Sequence, residues 1–354
     1  MNSLFSLTID EYIGRFSATH NQLVDEYLTS LATYEGHNVY NPWRDYDPRY
    51  DISEEAAKWR LDNLKAYLLP RLGRASHMIV AEAAGYQGCR FTGIPITCER
   101  MLLGFHNAVD PTMISPSTLY RTSHPTSMYI DKAIQRAKGF NEPTDTVVWK
   151  GLVENHLDPY DVLLWNMFPF HPHKPGQALS NRTPTSQELQ CGWQYVKDLL
   201  VLHERLSHLQ GTLSSDRESR THGMTVTNCA VHPIKVHNDK EWILSNTRAT
   251  STEHRMLSSV MKHYDGDTLA SKDRTMLSPR NGEKTSKSSD ALGQESEVPR
   301  ISNLHIYGVG QKSADILAQF GVTAIALRHP ANGGARLYQE GFARAVAAYR
   351  NESV

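Results

Sequence analysis

Four short apolar runs, separated by stretches of helical period, constrain this chain more than any other feature. They are His77-Met78-Ile79-Val80-Ala81, Asp161 to Phe168, Leu304-His305-Ile306-Tyr307, and Val322 to Leu327. Runs of this length without polar alternation suit strands covered on both faces. The stretches between them are helical. Pro143 opens one helix through Val147, Val148, Leu152 and Val153, and Cys98 to His106 reads as another. Thr185 to Leu209 reads as a long amphipathic helix, and a further helix passes through Ile316 and Leu317. Gly334 to Tyr349 closes the chain with Leu337, Phe342, Val346 and Ala347 on one face. Strands alternating with helices predict an α/β fold, a parallel sheet with helices on both faces. Such sheets bind ligands at the carboxyl ends of their strands. The loops after Ala81, Asn166, Tyr307 and His329 are therefore expected to converge.

Two regions stand apart from this alternation. Residues 1–75 read as helices and a loop. Asp10 to Tyr34 has helical spacing, Asn38 to Tyr50 is rich in turn residues, and Ser53 caps a helix through Trp59, Leu61, Leu64 and Leu68. Residues 211–299 are rich in Ser, Thr, Lys, Arg, Asp and Asn, with only scattered apolar clusters. A structureless connection that long is unusual inside a domain, so it reads as a largely disordered insertion. One short helix is expected near His254 to His263. Residues 1–210 and 300–354 then make a single domain.

Composition narrows the function classes. Lys plus Arg total 37 and Asp plus Glu 38, a formal charge of −1 over 354 residues. This excludes a basic coat or acidic tail as a global feature, so polyanion binding must be local. No apolar run approaches the ~20 residues of a membrane span, and the N-terminus lacks a signal-peptide pattern. The four cysteines lie far apart without a Cys-x-x-Cys, against a disulfide scaffold, a zinc ribbon or a cysteine-ligated iron–sulfur cluster. A soluble, monomeric, cytoplasmic protein without membrane partners is expected, nucleoid-associated if bacterial.

Three strand-end stretches carry polar chemistry. The first is Ala81-Glu82-Ala83-Ala84-Gly85-Tyr86-Gln87-Gly88-Cys89-Arg90-Phe91-Thr92-Gly93-Ile94-Pro95. Its glycines let backbone approach a ligand, Glu82 can orient a water, and Phe91 can stack on a planar ring. The second is Trp165-Asn166-Met167-Phe168, where the Asn166 amide offers a donor beside an acceptor, the complement of a pyrimidine edge. The third is Arg328-His329-Pro330-Ala331-Asn332-Gly333-Gly334, opening a helix whose N–H groups suit a phosphate. Taken singly, each also fits a plain structural role: a surface loop, a satisfied Asn, a capping turn. Gly308-Val309-Gly310-Gln311-Lys312 lacks the third glycine of a dinucleotide loop and reads as a strand-to-helix turn. His203 and His208 are one residue too far apart for a zinc-protease pair.

In combination and order, these motifs resemble the uracil-DNA glycosylase superfamily. Ala81-Glu82-Ala83-Ala84-Gly85 is similar to its first motif, often Gly-Glu-Ala-Pro-Gly, and Gly88 to Pro95 resembles a bacterial branch. Leu164-Trp165-Asn166 and His329-Pro330, extended by Asn332-Gly333-Gly334, resemble the later motifs. The resemblance spans roughly 52–209 and 301–349. It implies a three-layer α/β/α domain around a four-stranded parallel sheet. It also implies hydrolysis of the N-glycosidic bond of uracil, or a related deaminated base, in flipped-out DNA, without cofactor or metal. The roles carried over are Glu82 for the water and His329 for the developing anion. Asn166, Phe91, Gly85 and Tyr86 would hold the base. Arg90, Arg328, Asn332, Gly333, Gly334 and Arg336 would line a narrow DNA groove. The chain departs from the family at Ala81 and Ala84, which replace Gly and Pro. Ala83 stands where the best-known branch has a water-activating Asp, and no wedge residue is evident after His329-Pro330. The alternatives are a catalytically weak member binding DNA or a modified base, and a nucleotide-binding enzyme with a Rossmann-like sheet. An incomplete Gly-x-Gly and the lack of a P-loop Lys count against the latter.

Overall fold

The computed structural model describes residues 7–220 and 304–352. In chain order, helices α1 (Ile9–Ile13), α2 (Ala18–Ala32) and α3 (Ala56–Leu68) flank a two-residue strand β1 (Val39–Tyr40). The predicted Asp10–Tyr34 helix is thus two helices. Gly14 closes α1, and Ser17 caps α2 by accepting the His20 N–H at 3.2 Å. Ser53 does not cap α3 directly. Its carbonyl and hydroxyl accept the N–H groups of Ala56 and Glu55, a turn that precedes the helix.

Strand β2 (His77–Ala83) leads through short helices α4 (Cys89–Thr92), α5 (Glu99–Leu102) and α6 (Ala133–Lys138) to α7 (Pro143–Glu154). Helix α5 is shorter than the expected Cys98–His106 because Gly104, at φ 71°, takes the left-handed conformation that ends it. Strand β3 (Val162–Phe168) is followed by β4 (His171–Pro172) and by α8 (Ser186–Arg220), whose helical backbone outruns the expected end at Leu209. The rest of the expected insertion, with its helix near His254 to His263, lies outside the described residues. Strand β5 (His305–Val309), α9 (Gln311–Gln319), β6 (Ile325–Leu327) and α10 (Ala335–Glu352) complete the order. Strand β6 starts three residues later than expected because the Val322 N–H closes the end of α9 on the Leu317 carbonyl.

The four apolar runs form one parallel sheet in the order β3-β2-β5-β6. Every residue of β3 is buried, as expected of a strand covered on both faces. Ala81 pairs with Asn166 across β2 and β3, and Val309 with Leu327 across β5 and β6, so all strands end on one side. Helices α8 and α9 pack on the sheet and on each other, with Trp193 stacked on Phe320 at 4.7 Å. Helix α10 packs against α7 and β6, where the Phe342 ring meets Tyr307 edge-on. The architecture is mixed α/β of three-layer type, and the described residues belong to one compact unit. Among the described residues, no helix is long and apolar enough to cross a membrane.

Buried arginines tie the N-terminal helices to this body. Arg60 pairs with Asp51 at 3.0 Å, both side chains wholly buried, and donates to the Asp45 carbonyl and Tyr40 hydroxyl. Arg71 donates to the carbonyls of Tyr67, Met113, Ile114 and Pro159. Such buried charges hold only while fully hydrogen-bonded.

Close approach of α8 to β3 depends on Gly192. A Cβ there would meet the Met167 carbonyl oxygen and lie 3.0 Å from the Phe168 Cα, both backbone atoms that cannot yield. Gly192→Ala is expected to destabilise the fold by at least about 2 kcal/mol, read from the urea midpoint.

Candidate functional site

One cleft of about 660 Å³ opens at the carboxyl ends of the sheet. Glu82 of β2, Asn166 of β3, and His329 and Asn332 after β6 line it, together with Gly85. Residues far apart in the chain are thus brought together as the strand-end rule requires.

Each side chain has a local cause for its position. The β2–β3 register sets Asn166 beside the small Ala81. Asn166 is 2% exposed and its Nδ2 has no hydrogen-bond partner, so a buried donor faces the cleft unsatisfied. Glu82 is half-buried, and the Lys312 Nζ lies 3.2 Å from its Oε1. Gly310 donates to the Leu327 carbonyl and packs beneath His329, where a Cβ on it would lie 3.5 Å from the ring. The Ala331 N–H donates to His329 Nδ1 at 3.1 Å, which leaves the ring proton on Nε2. Burial holds the His329 pKa below its ordinary value, although Glu82 opposes this. His329 is therefore a neutral imidazole with one N–H to offer.

The first-turn loop differs from expectation. Phe91 is fully buried, stacked on Phe140 at 4.4 Å with the Arg90 guanidinium 4.4 Å over its ring. No face remains for a ligand, and Phe91 does not line the cleft. Arg90 is also wholly buried, over Tyr40 and 3.8 Å from both Asp47 and Asp51, so it cannot contact DNA at a surface groove. Two acidic neighbours and three aromatic rings draw it inward. Tyr86 packs against Phe140 and His171 and lies outside the cleft lining. Ile96 lines the cleft instead. It sits at φ 51°, an unusual backbone for a β-branched residue, and the Trp149 indole holds its carbonyl at 3.0 Å.

The phosphate expectation divides similarly. Arg328, Asn332, Gly333 and Arg336 are exposed, with Arg336 paired to Glu340 along α10. Gly334 is buried and its N–H already donates to the Ala331 carbonyl, so it has none to give a phosphate.

Several further lining residues went unread in the sequence. Glu142 and Asp145 open α7 and face the cleft, and Asn181 and Arg182 approach from the loop before α8. Burial raises the pKa of Asp145 well above the usual carboxylate range, and Glu142 beside it adds to the rise. Burial likewise raises Glu142, against a Thr144 N–H that favours the anion. Glu-Pro at a helix start signals only a capping turn, so the pattern gave no warning of the cleft. Lys312 was hidden in the same way, inside a turn correctly read as plain. Among the described residues, no group of three His, Cys, Asp or Glu could hold a metal ion.

No protein-family model matches the chain, and no curated protein is significantly similar to it.

Two outcomes are expected. A Cβ at Gly334 would meet the His329 carbonyl oxygen and lie 3.1 Å from that of Ala331. Gly334→Ala should displace His329, read as a shift of its imidazole resonances while those of His77 stay in place. Acid stability carries a contribution from two buried histidines, opposed over the same window by Asp145 and Glu142, whose raised pKa values favour the fold as pH falls. Burial lowers His77 from 6.5 to about 4, and burial then Arg90 lower His171 to about 3. Their contribution is complete above 6.5 and is lost as pH falls through that window, up to about 1.4 kcal/mol per pH unit for each ring. Urea midpoints at about pH 7 and pH 4.5 read this, and His171→Gln should lessen the slope.

Proposed function

We propose that this chain is a glycosylase that hydrolyses the N-glycosidic bond of uracil, or a related deaminated base, in DNA. The observation that carries the reading is the meeting of Glu82, Asn166 and His329 in one cleft, each from a different strand end. These are the residues that the resemblance to the uracil-DNA glycosylase superfamily assigns to water, base edge and leaving group.

The chemistry follows from their states. A target base must leave the stack, at a cost of a few kcal/mol, to enter a cleft of this depth. Ile96, rather than Phe91, then offers apolar surface to the ring. The unsatisfied Nδ2 of Asn166 donates to a ring carbonyl, and a base that leaves this donor unpaired is disfavoured. As the C1′–N1 bond breaks, the electron pair moves onto the base, and the His329 Nε2–H donates to the oxygen where charge accumulates. Such a preorganised donor contributes ~3 kcal/mol. A neutral imidazole supplies it through its Nε2–H without transferring that proton. Glu82 takes the proton of the water whose oxygen bonds to C1′, the departed base anion regains a proton from solvent, and Lys312 holds the carboxylate in place. Exposed Arg328, Asn332 and Gly333, adjoining His329 in the chain, are the groups available to phosphates.

The departures from the family pattern cause no backbone conflict. Neither Ala81 nor Ala84 is among the residues with positive φ, so neither position needs glycine.

The test is base release from uracil-containing oligonucleotides, single-stranded and as U·G and U·A pairs, with abasic sites revealed by alkali. Wild-type protein should release uracil, and Asn166→Ala and His329→Ala should each slow release at least about a hundredfold. Folded wild-type protein that releases nothing from any substrate would move the assignment to a base-binding member without catalysis.

A further inference from the structure

The mechanism above leaves two lining groups without a task. Glu142 and Asp145 stand three residues apart at the start of α7, so their side chains share one face of its first turn. Both line the cleft that holds Asn166. Asp145 is 4% exposed, and its Oδ2 has no hydrogen-bond partner, nor has the Oε2 of Glu142. These oxygens press on the first-motif turn. A side chain at Gly88 would begin 2.5 Å from Asp145 Oδ2, and one at Gly85 would begin 3.3 Å from Glu142 Oε2. Residues lining the cleft therefore carry, besides the Glu82 oxygen that Lys312 faces, two buried carboxyl oxygens and one buried amide donor without a partner.

Two neighbouring carboxylates in a low-dielectric site do not both ionise, so one proton between them is the stable state. The surroundings do not oppose this. The titratable groups facing the pair are Tyr86, Cys89, Cys98, Glu82 and His329. Burial and the Asp145 charge hold the Cys89 and Cys98 thiols protonated. The cations nearby are engaged elsewhere: Arg182 makes two hydrogen bonds to Glu188, and Lys312 pairs with Glu82. A wall of this kind repels phosphate and other anions.

We propose that Glu142 and Asp145 are base-reading residues that hold one proton between them, one oxygen accepting from a ring N–H while the other donates to a ring carbonyl. The inference rests on the glycosylase reading and adds to it the ligand class: a neutral cyclic amide, with adjacent N–H and C=O groups, as in uracil and hypoxanthine. The proton sets the selectivity. With it, the pair and Asn166 Nδ2 together present two donors and one acceptor, enough for a ring bearing two carbonyls about an N–H. Without it, the pair only accepts, which favours amino-bearing rings such as cytosine. Discrimination for uracil over cytosine should therefore decline as pH rises.

The experiment uses the full chain with free uracil, hypoxanthine and cytosine as probes. Calorimetry follows binding between about pH 5 and pH 8.5, a span that covers the raised pKa of a buried carboxyl. Infrared spectroscopy follows the protonated carboxyl stretch in the ligand-free protein. The expected result is a protonated carboxyl near neutral pH that is missing in Asp145→Asn. Wild-type uracil affinity should fall about tenfold or more across the span, with cytosine affinity falling less. Asp145→Asn carries a fixed donor beside the Glu142 acceptor, so its uracil affinity should lose most of that pH dependence. Glu142→Gln gives a second test should Asp145→Asn fail to fold. The inference is overturned if no protonated carboxyl is found, or if the variants keep the wild-type pH dependence and selectivity. Excision abolished by Asn166→Ala, with a pH profile that neither carboxyl variant alters, would sink this inference alone. A protonated carboxyl in a protein that neither binds nor releases any of these bases would remove the glycosylase reading, and the base-reading role with it.

Discussion

Parallel pairing of β2 with β3 on one side and β5 on the other is the constraint from which the site follows. Parallel ladders align strand directions, so the chain can leave the sheet for its loops at only one end. With Ala81 opposite Asn166, the two strands deliver Glu82 and Asn166 to the same rim. With Val309 opposite Leu327, the third and fourth strands deliver Gly310 and His329 to that rim as well. A slip of one residue would turn Asn166 to the opposite face of the sheet and replace it with Trp165 or Met167. Asn166 is the one polar side chain among the apolar Val, Leu, Met and Phe of a strand buried on both faces, and this register places it among the residues that line the cleft.

Burial then decides the electrostatics of the rim. The same desolvation acts on groups of opposite charge type and drives both toward neutrality. It lowers His329 and raises Asp145 and Glu142. The charged members that remain, Glu82 and Lys312, compensate each other at 3.2 Å. The interior of the cleft thus keeps little charge beyond the one shared by the carboxyl pair, whereas Arg328 stands exposed beside His329. That division suits a ligand with an uncharged ring to bury and a charged backbone to leave outside.

The first-motif loop shows where local reading stops. Glu82 and Gly85 reach the cleft as expected, whereas Arg90 and Phe91, a few residues on, turn into a separate aromatic cluster. Arg90 is drawn by Tyr40, Tyr50, Asp47 and Asp51, all from the segment before α3. Ile96 takes the apolar position at the cleft because Trp149, more than fifty residues later, holds its carbonyl. Neither partner can be inferred from the loop itself.

Periodicity and punctuation alone determined the strands, most helices and the rim at which the chemistry sits, because burial on two faces and helical spacing leave direct marks in the order of residues. They also placed Glu82, Asn166 and His329 at strand ends, whereas the choice of these three as a set came from their likeness in order to a known family's motifs. What only the tertiary structure decided was which neighbours share the cleft. The inward turn of Arg90 and Phe91, the spent N–H of Gly334, the approach of Lys312 and the carboxyl pair of α7 all depend on contacts between distant segments. Those contacts follow from packing and desolvation of the assembled chain, and no local spacing encodes them.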